Sequence, residues 1–233
     1  MIETVAANSI DSSCEHCGRV FARPNTLFKH ICEQKRRWID RDRPSNRIGY
    51  MSWKYYFQTY HPSKKTIEYS DFAKSSYYSA FVKFGSYCSD IAVINVQAYL
   101  HYLLKNCVPI DSWTSDRSYT GYIIDYLKYE DWYDAVKRTV DNLLDIAQQE
   151  NLRISDVFLY CSANRLCHMI VSGKISPWVL YQSATGKDFL AKLDTTQTNL
   201  IFEYINPERW NIKFKREEES VRNVQAIMNS IPL

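Results

Sequence analysis

At 233 residues the chain is long enough for a full hydrophobic core and a small appended module. Its 45% hydrophobic and 24% charged residues are close to globular averages, and 6 glycines against 18 tyrosines and 6 tryptophans exclude a loop-dominated chain. The net charge of +3 is uneven: residues 1–50 hold nine Lys or Arg against six Asp or Glu while the remainder balances, so any attraction to phosphate begins at the N-terminal end.

Residues 1–11 are polar and unpatterned and are expected to be a flexible N-terminus. Chemistry begins at Cys14-Glu-His-Cys17. Two cysteines three residues apart form a turn that can grip a metal, and His30 follows thirteen residues later, far enough for a short helix to fold back over that turn. Pro24 falls where such a helix starts, and Asn25 to Ile31 supply two turns.

With Phe21 and Leu27 placed as a miniature core, residues 14–32 resemble a finger of the two-cysteine, two-histidine zinc family, about a tenth of the chain. The resemblance implies an N-terminal ββα zinc finger over 12–34 holding Zn2+ through Cys14, Cys17 and His30. The fourth ligand departs from the family pattern. Its usual places are Gln34 or Lys35, neither of which coordinates zinc, whereas Cys32 lies two residues after His30. Two residues turn a helix by about 200°, so Cys32 ligates only if the helix unwinds or tightens there; His16 is the alternative. The resemblance also implies a base-reading set, Arg23, Asn25, Thr26 and Lys29, with guanine suited to the cations and adenine to the asparagine.

Residues 35–50 read as a basic helix and linker, in which Lys35, Arg36 and Arg37 could neutralise phosphates before Pro44-Ser-Asn46 marks a boundary. From residue 51 to 233 the periodicity predicts a helical domain. Its segments open at Met51, Ser70, Asn95, Tyr119, Asp131, Ser155, Ser176, Asp194, Asn206 and Arg216, with His61-Pro62-Ser63 as a break. Phe72, Ser76, Ala80 and Phe84 trace a single helix face, and another helix runs from Ser155 to Gly173. The expected fold class is mainly α. The aromatic helices also resemble small proteins of tailed bacteriophages, a likeness carried by no motif.

No apolar run approaches the roughly 20 residues of a membrane span, no signal peptide is recognisable, and seven irregularly spaced cysteines suit a reducing compartment. The expectation is an intracellular protein, or a virion component if viral, without a membrane partner. No glycine-rich phosphate loop, nucleophile elbow or paired carboxylates stand out, so neither an enzyme nor a small-molecule substrate is expected. Cys161, Cys167 and His168 read as packing rather than as a second metal site, since neighbouring residues face different sides of a helix. The leading expectation is a zinc protein that contacts nucleic acid through the finger and the basic helix. The competing one is a structural or assembly protein whose finger staples the fold or docks other protein chains.

Overall fold

The computed structural model describes residues 13–60, 66–231 and 233. The expected flexible residues 1–11 and the break at His61-Pro62-Ser63 lie outside them. Among the described residues every regular element is helical, and β pairing is limited to one antiparallel bridge between Ser13 and Val20. The chain is mainly α, as its periodicity predicts. The expected ββα finger does not form. Between Gly18, held at a left-handed φ of 71°, and Pro24, the first residue of a helix, only five residues remain, enough for a bridge but not a ladder.

The chain divides into two compact units, one holding the described residues up to Leu100 with Pro109–Thr114, the other His101–Val108 with the described residues from Ser115 onward. The first contains α1 (Pro24–Lys29), α2 (Glu33–Ile39), a 3-10 turn (Asp40–Asp42), α3 (Pro44–Tyr60), α4 (Tyr69–Lys74), α5 (Tyr78–Asp90) and the start of α6 (Val96–Lys105). Pro44-Ser-Asn46, expected as a boundary, instead opens α3. Asn46 is buried there, its amide donating to the Asp40 carbonyl at 2.8 Å and to the Tyr78 hydroxyl at 3.3 Å.

Helices α3 and α5 lie against each other because two glycines let their backbones meet. A Cβ on Gly85 would stand 1.9 Å from the Ser45 carbonyl oxygen, and one on Gly49 would stand 2.7 Å from that of Phe81. Around this contact the tyrosine- and tryptophan-rich composition becomes an aromatic core. The rings of Phe81 and Phe84 pack at 5.5 and 5.3 Å on Trp113, Trp53 and Phe72 pack at 5.3 Å, and the buried Tyr99 hydroxyl donates to the Trp113 carbonyl at 2.8 Å.

The single helix expected through Phe72 and Phe84 is two helices, α4 and α5, parted at Ser75, whose ψ of 140° is extended. Two competitors end α4. The Ser75 hydroxyl accepts from the Tyr77 N–H at 3.1 Å, and the Arg37 guanidinium donates to the Ala73 and Ser75 carbonyls at 2.8 and 3.5 Å.

The second unit is built from α7 (Asp116–Tyr129), α8 (Trp132–Glu150), α9 (Val157–Tyr160), α10 (Ala163–Val171), α11 (Pro177–Gln182), α12 (Ala184–Ala191), α13 (Thr195–Ile205), α14 (Pro207–Arg216) and α15 (Glu218–Ser230). Most starts are written locally. Asp131 caps α8, Ser176 with Pro177 starts α11, Asp194 and Gln197 form a capping box on α13, and Asn206 with Pro207 starts α14. The expected helix from Ser155 to Gly173 is divided at Cys161, where the backbone is extended.

Leu127, Leu143, Leu166, Ile170, Trp178, Leu180, Ile201 and Val224 fill the core of this unit. A deep ion pair joins Glu130 to Arg138, and Arg138 also donates to the Gly173 carbonyl at 2.9 Å. Lys213, nearly buried, donates to the carbonyls of Lys128 and Glu130 at 2.8 and 3.2 Å, which satisfies the ammonium without a carboxylate.

Candidate metal centre

The centre is assembled by two turns facing each other. In the first, Gly18 N–H donates to the Cys14 carbonyl at 2.7 Å and Cys14 N–H to the Arg19 carbonyl at 2.9 Å, closing a knuckle that presents both cysteine sulfurs on one side. The left-handed Gly18 makes this closure possible, a role the cysteine spacing does not announce. In the second, α1 stops at Lys29. His30 and Cys32 both adopt extended backbone, with ψ of 121° and 169°, and the chain re-enters a helix at Glu33.

That unwinding answers the two-residue problem. An uninterrupted helix would send His30 and Cys32 to opposite sides, whereas extended residues two apart point the same way. Cys14 Sγ and Cys32 Sγ stand 3.9 Å apart, and Cys17 Sγ stands 3.3 Å from His30 Nε2. All four ligand atoms lie within 4.8 Å of one another. Zn–S bonds of about 2.3 Å in a tetrahedron put sulfurs about 3.8 Å apart, so the set has the dimensions and the donor chemistry of a closed Cys3His zinc site. The cluster could hold a metal ion. His16 is outside it: its ring lies 5.9 Å from that of Trp38.

The thiols are crowded. Burial works to raise the Cys14 thiol, but the backbone N–H groups of Cys17 and His16 together with the Cys17 and Cys32 thiols outweigh it and hold the thiol below its ordinary value. At Cys17 the Arg19 backbone N–H pulls downward, yet lost solvent and the nearness of Cys14 and Cys32 leave the thiol above its ordinary value. A divalent metal, which takes its cysteine ligands as thiolates, would supply the positive charge that this crowding calls for.

Packing around the centre is slight on one side and firm on the other. Phe21 lies 4.7 Å from the His30 ring, and Phe21 and Leu27 are only half-buried, so the expected miniature core exists but is thin. On the other side, Cys32 caps α2 by accepting from the Lys35 N–H at 3.4 Å, while the Lys35 ammonium donates to the His30 carbonyl at 3.3 Å. Helix α2 then carries Trp38, whose ring meets the tilted His16 ring at 5.9 Å and Tyr69 edge-to-face at 5.8 Å. The Tyr69 hydroxyl donates to the Arg37 carbonyl at 3.0 Å. The centre is therefore fastened through α2 to α4 of the same unit.

The residues expected to meet nucleic acid separate into two groups. Arg23, Asn25, Thr26 and Lys29 are all exposed, and among the described residues their side chains make no hydrogen bond or ion pair. Arg36 is exposed as well. Arg37 and Lys35 are not presented in this way. Arg37 pairs with Glu33, donates to the α4 carbonyls and lies over the Tyr78 ring at 4.3 Å, and Lys35 is held on His30. The sequence shows a run of like cations; the difference between them is made by α4, whose carbonyls only one of them reaches. Cys161, Cys167 and His168 join no metal-like cluster among the described residues, and burial raises the Cys167 thiol. No described helix is long and apolar enough to cross a membrane.

Compared with known proteins, the chain matches no protein family, no curated protein and no solved structure, so the likeness of its aromatic helices to tailed-bacteriophage proteins has no matching family behind it.

Proposed function

We propose that the chain is a non-enzymatic zinc protein that contacts nucleic acid through the outward face of its metal centre. The observation that carries this reading is the presentation of Arg23, Asn25, Thr26 and Lys29, all exposed and unpaired among the described residues, on and beside a helix anchored by a Cys3His cluster. Four protein ligands leave zinc no open position for a substrate, which makes the metal structural. Arg36 is a further exposed cation on the following helix α2; Arg37 supports the fold.

The test is retention of the zinc-loaded full chain on DNA and RNA across a salt series. Replacing Arg23, Lys29 and Arg36 with Gln is expected to weaken binding and flatten the salt dependence by about 0.7–0.9 log units per lost phosphate contact. Arg37→Gln is expected instead to lower stability. A wild-type protein retained by neither nucleic acid at low salt rejects the reading.

A second reading has its own observation. The His16–Trp38–Tyr69 ring contacts and the Arg37 bonds fasten the centre to α4, as expected of a staple in a structural or assembly protein. Stable recovery with another protein chain, without nucleic-acid affinity, would favour it.

A further inference from the structure

Phe28 has no place in the metal centre or in either core. It is 84% exposed on α1, while Leu27 beside it turns inward. Helical spacing sets Phe28 on the same side of α1 as Asn25, which shares a side with Lys29 four residues on; Asn25 and Lys29 belong to the proposed contact face. Two more apolar side chains stand out from the module, Val20 at 73% exposure and Ile31 at 60%. The same stretch, residues 19–36, also carries the exposed cations Arg19, Arg23, Lys29 and Arg36, of which Arg19 lies over the Phe21 ring. Helix α1 itself contains no acidic residue.

From this juxtaposition we propose that the nucleic acid recognised by this face is single-stranded, with Phe28 as the platform on which an unpaired base stacks. The proposal rests on the nucleic-acid reading above and names its substrate class. In a duplex the base faces are covered by their neighbours, and an aromatic ring among major-groove contacts meets only edges and phosphates. A helix of six residues, about 9 Å long, also reads only about 3 base pairs, too little surface for specific duplex affinity. An unpaired strand reverses both disadvantages. It offers a π face to Phe28, phosphates to Arg23, Lys29 and Arg36, and open base edges to the Asn25 amide.

The experiment is fluorescence anisotropy with the zinc-loaded full chain and three labelled probes of one mixed sequence, about 15 nucleotides long: single-stranded DNA, single-stranded RNA and duplex DNA. The single strands are expected to bind at least about tenfold more tightly than the duplex, and the two single-strand arms show which sugar is preferred. Phe28→Ala is expected to weaken single-strand binding about tenfold without changing the salt dependence, whereas Phe28→Trp retains affinity and its indole emission is quenched on binding. Because Phe28 is exposed, both variants keep their zinc and fold. Equal or tighter duplex binding, or single-strand affinity unchanged in Phe28→Ala, overturns the inference while leaving the nucleic-acid reading intact. Absence of binding to all three probes removes both.

Discussion

Cys32 combines two duties that a longer ligand spacing would give to separate residues. It points a sulfur at Cys14, 3.9 Å away, and the same sulfur accepts from the Lys35 N–H at the start of α2. A thiolate is a better acceptor than a thiol, so metal binding and the start of α2 reinforce each other. Cys32→Ser is therefore expected to lower zinc affinity more than about tenfold. His16→Ala, which removes the ring beside Trp38 and no ligand, should still hold one zinc per chain by elemental analysis. Full zinc retention in Cys32→Ser with loss in His16→Ala would exchange the two roles. Cys14, Cys17 and His30 were legible from spacing because a metal demands donors at fixed separations. Cys32 was legible only conditionally, since its fitness depends on whether the backbone leaves the helix at His30.

At the scale of elements, helix starts were the most readable feature. Ser176-Pro177, Asp194-x-x-Gln197 and Asn206-Pro207 each satisfy their own orphan N–H groups within a few residues, so they act wherever they stand in the fold. Helix ends and helix pairing were less so. The parting of α4 from α5 rests partly on the local Ser75 hydroxyl and partly on Arg37, 36 residues before the carbonyl it captures, and no local pattern carries the second part. The contact of α3 with α5 depends on Gly49 and Gly85, the latter expected from the sequence to end its helix, whereas α5 continues to Asp90. Gly85→Ala would drive a methyl group into the Ser45 backbone oxygen, which cannot swing aside as a side-chain end could. The expected cost is about 3 kcal/mol, read by denaturant unfolding. Gly121→Ala meets only the movable Tyr102 hydroxyl, and a similar loss there would refute the explanation.

For the whole molecule, the thin packing of residues 13–32 contrasts with the aromatic core behind them, which predicts that the metal holds a local structure. Chelation is expected to abolish hydrogen-exchange protection over residues 13–32 and to open Cys14, Cys17 and Cys32 to alkylation, with α3 and α5 still protected. Cys88 serves as the internal control. Burial pushes its thiol up to about 12, so at pH 8 it stays protonated and unreactive with or without metal. A thiol whose folded value exceeds its unfolded one costs the fold nothing at neutral pH and weakens it as pH rises through the ordinary thiol range. Alkylation of Cys88 together with the zinc ligands after chelation would mean that the metal supports the entire first unit. By itself the sequence determined the mainly helical class, the capped starts, the cysteine knuckle with its histidine and the N-terminal excess of positive charge, because each rests on hydrogen bonds or spacings that close within a few residues. Only the tertiary structure decided that the finger lacks its sheet, that Arg37 turns inward while Arg36 stays in water, and that Phe28 is left uncovered. The reason is physical: a long side chain or an exposed ring takes its environment from whichever distant element arrives beside it, and that arrival is set by packing rather than by its neighbours in the chain.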